Sequence, residues 1–246
     1  MKEKSINREV IGLLALSIIT YLLYVIFAQL FKHFIEKIAF IEGLSYYIAV
    51  AVTLLIIFLL IPKKKLKQLG ISKSNNKENM MHIVLLLLIG GFNIIVLFQQ
   101  GITENILYAF VRGLYAGIVE ELILRGYIFS AFEIKFDEYK AIIFSSIVFG
   151  LLHLTNLTHN PVMIVLLQVI YTTMFGIGFS ILRVRTKSLL MPILIHSFIN
   201  VTCHLAADIS SNITIIDLCC TFCCTFYCLI LGICFLYHYR KNVCSA

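Results

Sequence analysis

The sequence predicts an all-α polytopic membrane protein of about eight transmembrane helices with both termini cytoplasmic, and three observations predict it. Of 246 residues, 60% are hydrophobic and only 13% charged, with a mean hydropathy of +0.95, which excludes a soluble globular domain of this size. Apolar runs of the roughly 17 to 25 residues needed to span lipid recur along the whole chain. Basic residues gather at alternate ends of those runs, as short cytoplasmic loops require.

In order, the runs fall at about 10 to 31, 44 to 61, 81 to 99, 105 to 132, 140 to 155, 161 to 182, 188 to 206 and 213 to 237. The first is too long for a removable signal peptide and lacks a small-residue cleavage site, so it is expected in the mature protein. With the N-terminus inside, 16 of the 20 Lys and Arg lie in inner segments, Lys32 and Lys37 lie outside, and Arg112 and Arg125 fall within a span. The net charge of +7 then belongs to topology and to anionic lipid. The Pro62 to Lys77 stretch, with Lys63, Lys64 and Lys65, is expected on headgroups at about 1 kcal/mol per basic residue. Membrane lipids are thus expected partners, and nucleic acid is not.

No internal repeat or soluble domain appears, so residues 1–246 read as a single integral membrane domain. Residues 1–100 or so look like lipid-facing scaffold helices, about 105–205 like the catalytic core, and 213–237 like a final Cys-rich helix. Gly113 and Gly117 form a small-xxx-small face that lets another helix approach closely, and Gly176, Gly178 and Ser180 offer a second. Pro192, placed within the seventh span, predicts a kink just before His196.

The fourth span carries Glu120 and Glu121, with Arg125 four residues on. An acidic side chain near mid-bilayer costs about 2.5 to 3.5 kcal/mol, which makes it a functional candidate. His153 and His196 lie inside other spans. At about 1.5 Å per residue, Glu121, His153 and His196 stand roughly 18, 20 and 12 Å from their inner helix ends, the same layer within the uncertainty of the boundaries. His196 and Asn200 share one helix face, as do Glu121 and Arg125. An Arg125 ion pair would keep Glu121 ionised, leaving Glu120 as a base whose pKa burial raises toward neutrality. A buried Glu–Arg pair or a lone helical His is by itself often a packing feature. Two acids, two His and an Asn at one depth point instead to a catalytic or ion-handling site.

The ordered set Glu120-Glu121-x-x-x-Arg125, Phe149-x-x-x-His153 and His196-x-x-x-Asn200 resembles the CPBP (Abi-like) family, which includes type II CAAX prenyl proteases and bacteriocin-processing enzymes. The resemblance covers about residues 105 to 205, with a weaker likeness over Leu66 to Lys73. It implies that Glu120 and His153 activate water, that His196 and Asn200 stabilise an oxyanion, and that Glu121, Arg125 and Phe149 support the site. Two His and a Glu also match a catalytic Zn ligand set, with Glu120 or Glu121 joining His153 and His196 and the remaining Glu as base. The family has been described both ways; the cofactor stays open, and the metal-free glutamate mechanism is preferred.

The expected activity is therefore intramembrane endopeptidase cleavage of a membrane-associated or lipidated peptide or protein. Richness in Lys, Ile and Asn suits a bacterium of low genomic GC, which places the protein in a plasma membrane and favours bacteriocin or signal-peptide processing, or self-immunity, over prenylated substrates. Two rivals use the same residues: a non-enzymatic immunity or scaffold protein, and an ion or proton transporter. Of eight Cys, six lie between 219 and 234, where one continuous helix cannot wrap a metal tetrahedrally; they read as small apolar residues, and Cys244 as a palmitoylation candidate. His33, His82, His159, His204 and His238 read as interfacial. The Asn-x-Thr triplets at Asn156, Asn200 and Asn212 are expected by chance. Arg112 lies about two turns from Glu120.

Overall fold

The computed structural model describes residues 2–24, 45–61, 80–101, 106–206 and 215–244, and every element among them is helical. Helix α1 spans Lys2–Leu22, α2 Ser45–Leu60 and α3 Met80–Gln100. The fourth rod is α4 (Ile106–Glu121), a π-helical stretch over Leu122–Ile128, and α5 (Phe129–Lys135). Helix α6 (Glu138–Leu152) runs into a 3₁₀ segment, His153–Thr158; then follow α7 (Val162–Thr186), α8 (Leu190–Ala206) and α9 (Ile215–Cys244). Three stretches, Glu138–Thr158, Val162–Thr186 and Thr221–Arg240, are long and apolar enough to cross a bilayer, and three shorter apolar helices accompany them. Among the described residues the chain is all-helical, and its apolar helices are those of a membrane protein. The lysine-rich loop, Leu66 to Lys73, Lys32, Lys37, His33 and Asn212 lie outside the described residues.

Lipid tails are as apolar as leucine, so packing and polar contacts between helices, rather than water, must hold such a bundle together. Helix α4 packs chiefly on α8, α7 lies between α6 and α9, and α3 braces α8 from the other side. The two glycines of α4 set the closest of these approaches. A Cβ at Gly113 would sit 2.5 Å from the Val201 backbone nitrogen, and one at Gly117 2.8 Å from that of Ser197. The helices therefore run antiparallel, and the residues just before those contacts, Asn200 and His196, are carried against α4. Across α8, Asn93 Nδ2 donates to Ile199 O at 3.1 Å and to Thr202 Oγ1 at 3.2 Å. Tyr227 OH donates to Leu85 O at 2.7 Å, joining α9 to α3.

The second small-residue set faces several neighbours. Gly176 lies against Arg125 and Phe149, Gly178 against Phe235 and Leu86, and Ser180 Oγ is 3.4 Å from Ser145 Oγ. Asp137 caps α6, its side chain accepting from the Lys140 amide at 2.8 Å, which satisfies one of the free donors at the helix start. Lys140 holds that carboxyl below the usual aspartate range.

Three expectations change. The fourth span is not one continuous α-helix, because the π stretch begins directly after Glu121. Helix α8 begins at Leu190, so Pro192 stands in the first turn, where the missing N–H has no intrahelical partner to lose and no kink is needed. Helix α1 is not pure lipid-facing scaffold: Ser17 and Thr20 are buried, α1 packs on α5 and the π stretch, and Tyr21 and Tyr24 line a half-open cavity.

Candidate active site

The site grows from the junction of α4 and the π stretch. Glu120 and Glu121 close the last α-helical turn, and their side chains part: Glu121 is fully buried, while Glu120 keeps 27% of its side chain exposed. Glu121 Oε1 accepts from Arg125 Nη1 at 2.9 Å, the pairing that the i, i+4 spacing predicts. It also accepts from His196 Nδ1 on α8 at 2.7 Å, which spacing along one helix could not reveal. Arg125 is itself fully buried. Its Nη2 donates to Gly176 O at 3.0 Å, and its guanidinium lies 4.6 Å from the Phe149 ring centre and 5.3 Å from that of Phe179. A buried charge needs such company, since an unpaired one costs several kcal/mol.

Phe149 is the hub. Its ring meets those of His153 and His196 edge-on at 5.0 and 5.5 Å. Phe179, a residue that sequence reasoning passed over, stacks on His196 at 5.2 Å. Nothing but its place on α7, one turn after Phe175, could have singled it out.

The two histidines are fixed by the partner of one ring nitrogen. His153 Nδ1 lies 3.0 Å from Phe149 O; a carbonyl only accepts, so Nδ1 carries the proton and Nε2 presents its lone pair. His196 Nδ1 donates to Glu121, which leaves Nε2 facing Glu120 Oε2 at 3.7 Å. His196 is only 2% exposed and stands behind Glu120.

Glu120, His153 and Asn200 share the wall of a cavity of about 600 Å³. Thus α4, the start of the 3₁₀ segment after α6, and α8 each bring one candidate residue to one space, with His196 held against it. Further lining comes from residues to which the sequence assigned no role: Arg112, His159 and His204, the α1 tyrosines, and Asn156, which donates to Gln168 at 2.8 Å.

A metal was one expectation for these residues. Among the described residues, no three His, Cys, Asp or Glu side chains converge into a group that could hold an ion. Glu121 Oε1 is engaged by Arg125 and His196, while its Oε2 is buried without a hydrogen-bond partner among the described residues. The group of ligands a catalytic Zn needs is not formed by the described residues, and no step is derived through one. The cysteines of α9 likewise form no metal group among the described residues; Cys224 and Cys228, one turn apart, bring their sulfurs to 4.0 Å.

Residues 102–202 match the family model described as "Type II CAAX prenyl endopeptidase Rce1-like". The segment encloses all three motifs, so the resemblance read from them holds over it. Over 179 residues the chain is 29% identical to "Putative membrane peptidase YdiL" of Bacillus subtilis (strain 168), a similarity covering 63% of this chain. The match spans 66% of that relative's length, just short of two thirds. No solved structure matches the chain significantly.

Proposed function

We propose, from the premise that residues 102–202 are Rce1-like, that this protein is an intramembrane endopeptidase acting on a membrane-associated or lipidated peptide or protein. Its eight apolar segments cross a bacterial plasma membrane with both termini cytoplasmic. The observation that carries the reading is that Glu120 and His153, from different helices, face one cavity, with His153 Nε2 left free by the bond of Nδ1 to Phe149.

In the proposed reaction, a water held between Glu120 and His153 Nε2 gives a proton to the Glu120 carboxylate as its oxygen attacks the scissile carbonyl. General base catalysis of this kind contributes about 10² to 10⁴ in rate. The oxyanion receives a hydrogen bond from Asn200 Nδ2 and is supported by the His196 ring behind Glu120, which Glu121 and Arg125 hold in place. When the tetrahedral intermediate collapses, the C–N bond breaks and the Glu120 proton passes to the leaving amine. The biological setting that suits this chemistry in a bacterium is processing of a bacteriocin or signal peptide, or self-immunity.

The test compares peptides from cells carrying the intact protein with those from cells carrying Glu120→Ala or His153→Ala. Each substitution is expected to remove the products, about 10²-fold or more, while helical content and membrane insertion are unchanged. Full biological activity in both variants would replace catalysis with a binding role, as in an immunity protein. Ion flux into reconstituted vesicles that the same substitutions abolish would make the carboxylates a relay.

A further inference from the structure

The cavity and the basic residues stand at opposite ends of the same helices. Among the described residues, Lys2 opens α1, Lys135 closes α5, Lys140 lies in the first turn of α6, Arg185 in the last turn of α7, and Arg240 near the end of α9. Every other described Lys and Arg stands at this end too, except Arg125 in the buried site and Arg112 on the cavity wall. Contacts tie these helix ends together. Arg183 Nη2 on α7 donates to Ser130 Oγ on α5 at 2.9 Å, and Tyr239 OH on α9 donates to the carboxylate of Glu138, the first residue of α6.

The register of α6 on α7 shows where the cavity lies relative to that end. Ser145 faces Ser180, Gly150 faces Val169, and Asn156 bonds to Gln168, so the two helices run antiparallel from the basic end up to the 3₁₀ segment. That segment, Gln168 near the start of α7, Asn200 in the second half of α8 and Tyr21 at the end of α1 all line the cavity. Its wall is exposed at Thr155, Thr158 and His159. On the basic side of Glu120, by contrast, Leu124, Phe129, Ile142, Phe149 and Phe179 are completely buried or nearly so. A packed interior of this kind leaves few voids larger than a water molecule. Water and peptide therefore reach Glu120 from the end opposite the basic residues.

Lys and Arg close to the ends of membrane helices mark the cytoplasmic side, and acidic residues there count for little. Glu133, Asp137 and Glu138, which share the basic end, do not change that assignment. We infer that the Glu120 cavity opens on the membrane face away from the cytoplasm, and that its substrates are exported peptides or the extracytoplasmic segments of membrane proteins. A tail that stays in the cytoplasm, prenylated or not, has no path to Glu120. Depth sets a further condition. Glu120 lies about 21 Å along α4 from Ile106, a distance that an extended segment of about six residues covers. The substrate must therefore offer an unfolded stretch of that length beside the scissile bond. The substrate class rests on the peptidase reading of the cavity, the direction of opening does not, and the test separates the two.

The chain carries a natural reporter at each end. Cys203 lines the cavity and is exposed, and Cys244 is the last residue of α9, at the basic end. Sealed right-side-out and inside-out membrane vesicles containing the intact protein are treated with the membrane-impermeant thiol reagent 2-sulfonatoethyl methanethiosulfonate, and the adducts are located by mass spectrometry of proteolytic fragments. In right-side-out vesicles Cys203 is expected to be modified and Cys244 spared; inside-out vesicles reverse the pattern. Modification of Cys203 only in inside-out vesicles, from neither side, or from the same side as Cys244 overturns the assignment. Quenched-fluorescent peptide mixtures added to the same vesicles report separately on the peptidase. Cleavage that is lost in Glu120→Gln is expected in right-side-out vesicles alone, and such cleavage confined to inside-out vesicles overturns the substrate class. Cleavage by neither preparation would refute the peptidase reading and the substrate class with it, while the labelling of Cys203 still fixed the side on which the cavity opens.

Discussion

His196 Nδ1 donates to Glu121 Oε1 across 2.7 Å, joining α8 to the last turn of α4, and the same oxygen accepts from Arg125 Nη1 at 2.9 Å. One buried carboxylate oxygen thus holds a cation and an imidazole from opposite sides. This division of labour explains two adjacent glutamates with different fates: Glu121 is the anchor, and Glu120 is left to the cavity.

The anchor makes a stability prediction. Glu121→Gln leaves the Arg125 charge buried without its partner, which is expected to cost about 3–5 kcal/mol. Arg125→Met alone strands the carboxylate at a similar cost, whereas the double variant loses much less than the sum. Thermal unfolding in detergent, analysed as a double-mutant cycle, measures the coupling. Additive losses would mean that the two charges do not depend on each other.

Helix approach makes a second prediction. Leucine at Gly117 has to displace the Ser197 backbone, so α8 shifts and His196 leaves Glu121. Stability should fall by about 1–3 kcal/mol, and peptidase activity should fall further than stability explains. Gly91→Ala is the control, since its added Cβ meets nothing within 4 Å. If Gly117→Leu matches Gly91→Ala in both readouts, the close approach does not position the site.

The ring of Phe179 gives a third. It stacks on His196 and stands beside the Arg125 guanidinium. Phe179→Leu removes about 0.5–1.5 kcal/mol of aromatic interaction and loosens the imidazole without touching the cavity wall. The expected signature is a several-fold fall in kcat with KM little changed, read on any peptide the protein cleaves. A change confined to KM would place Phe179 in substrate binding instead.

Metal removal gives a fourth. The convergent ligand group that a catalytic zinc needs is not formed by the described residues, so cleavage is expected to survive exhaustive chelation with unchanged kcat. Loss of cleavage on chelation, restored by zinc at one equivalent, would show that Glu120, His153 and His196 rearrange around an ion.

The apolar run lengths pointed to a helical membrane protein, because the need to span lipid and satisfy the backbone internally is written along the chain itself. The three motifs and the glycine pair of α4 were likewise legible, since i, i+4 spacing places residues on one helix face without reference to any neighbour. From those came the Glu121–Arg125 pair and the expectation of a close helix contact, while matched depths along the spans put Glu120, His153 and Asn200 in one layer. The π stretch after Glu121, the start of α8 beyond Ser188, the bond of Glu121 to His196, the Phe179 stack, and the placement of Tyr21, Arg112 and His204 on the cavity wall belong to tertiary structure alone. The physical reason is rotation and register. Hydropathy is blind to how far each helix turns about its axis and which residue faces which across an interface. Packing decides both, as Gly117 against Ser197 does here for the whole site.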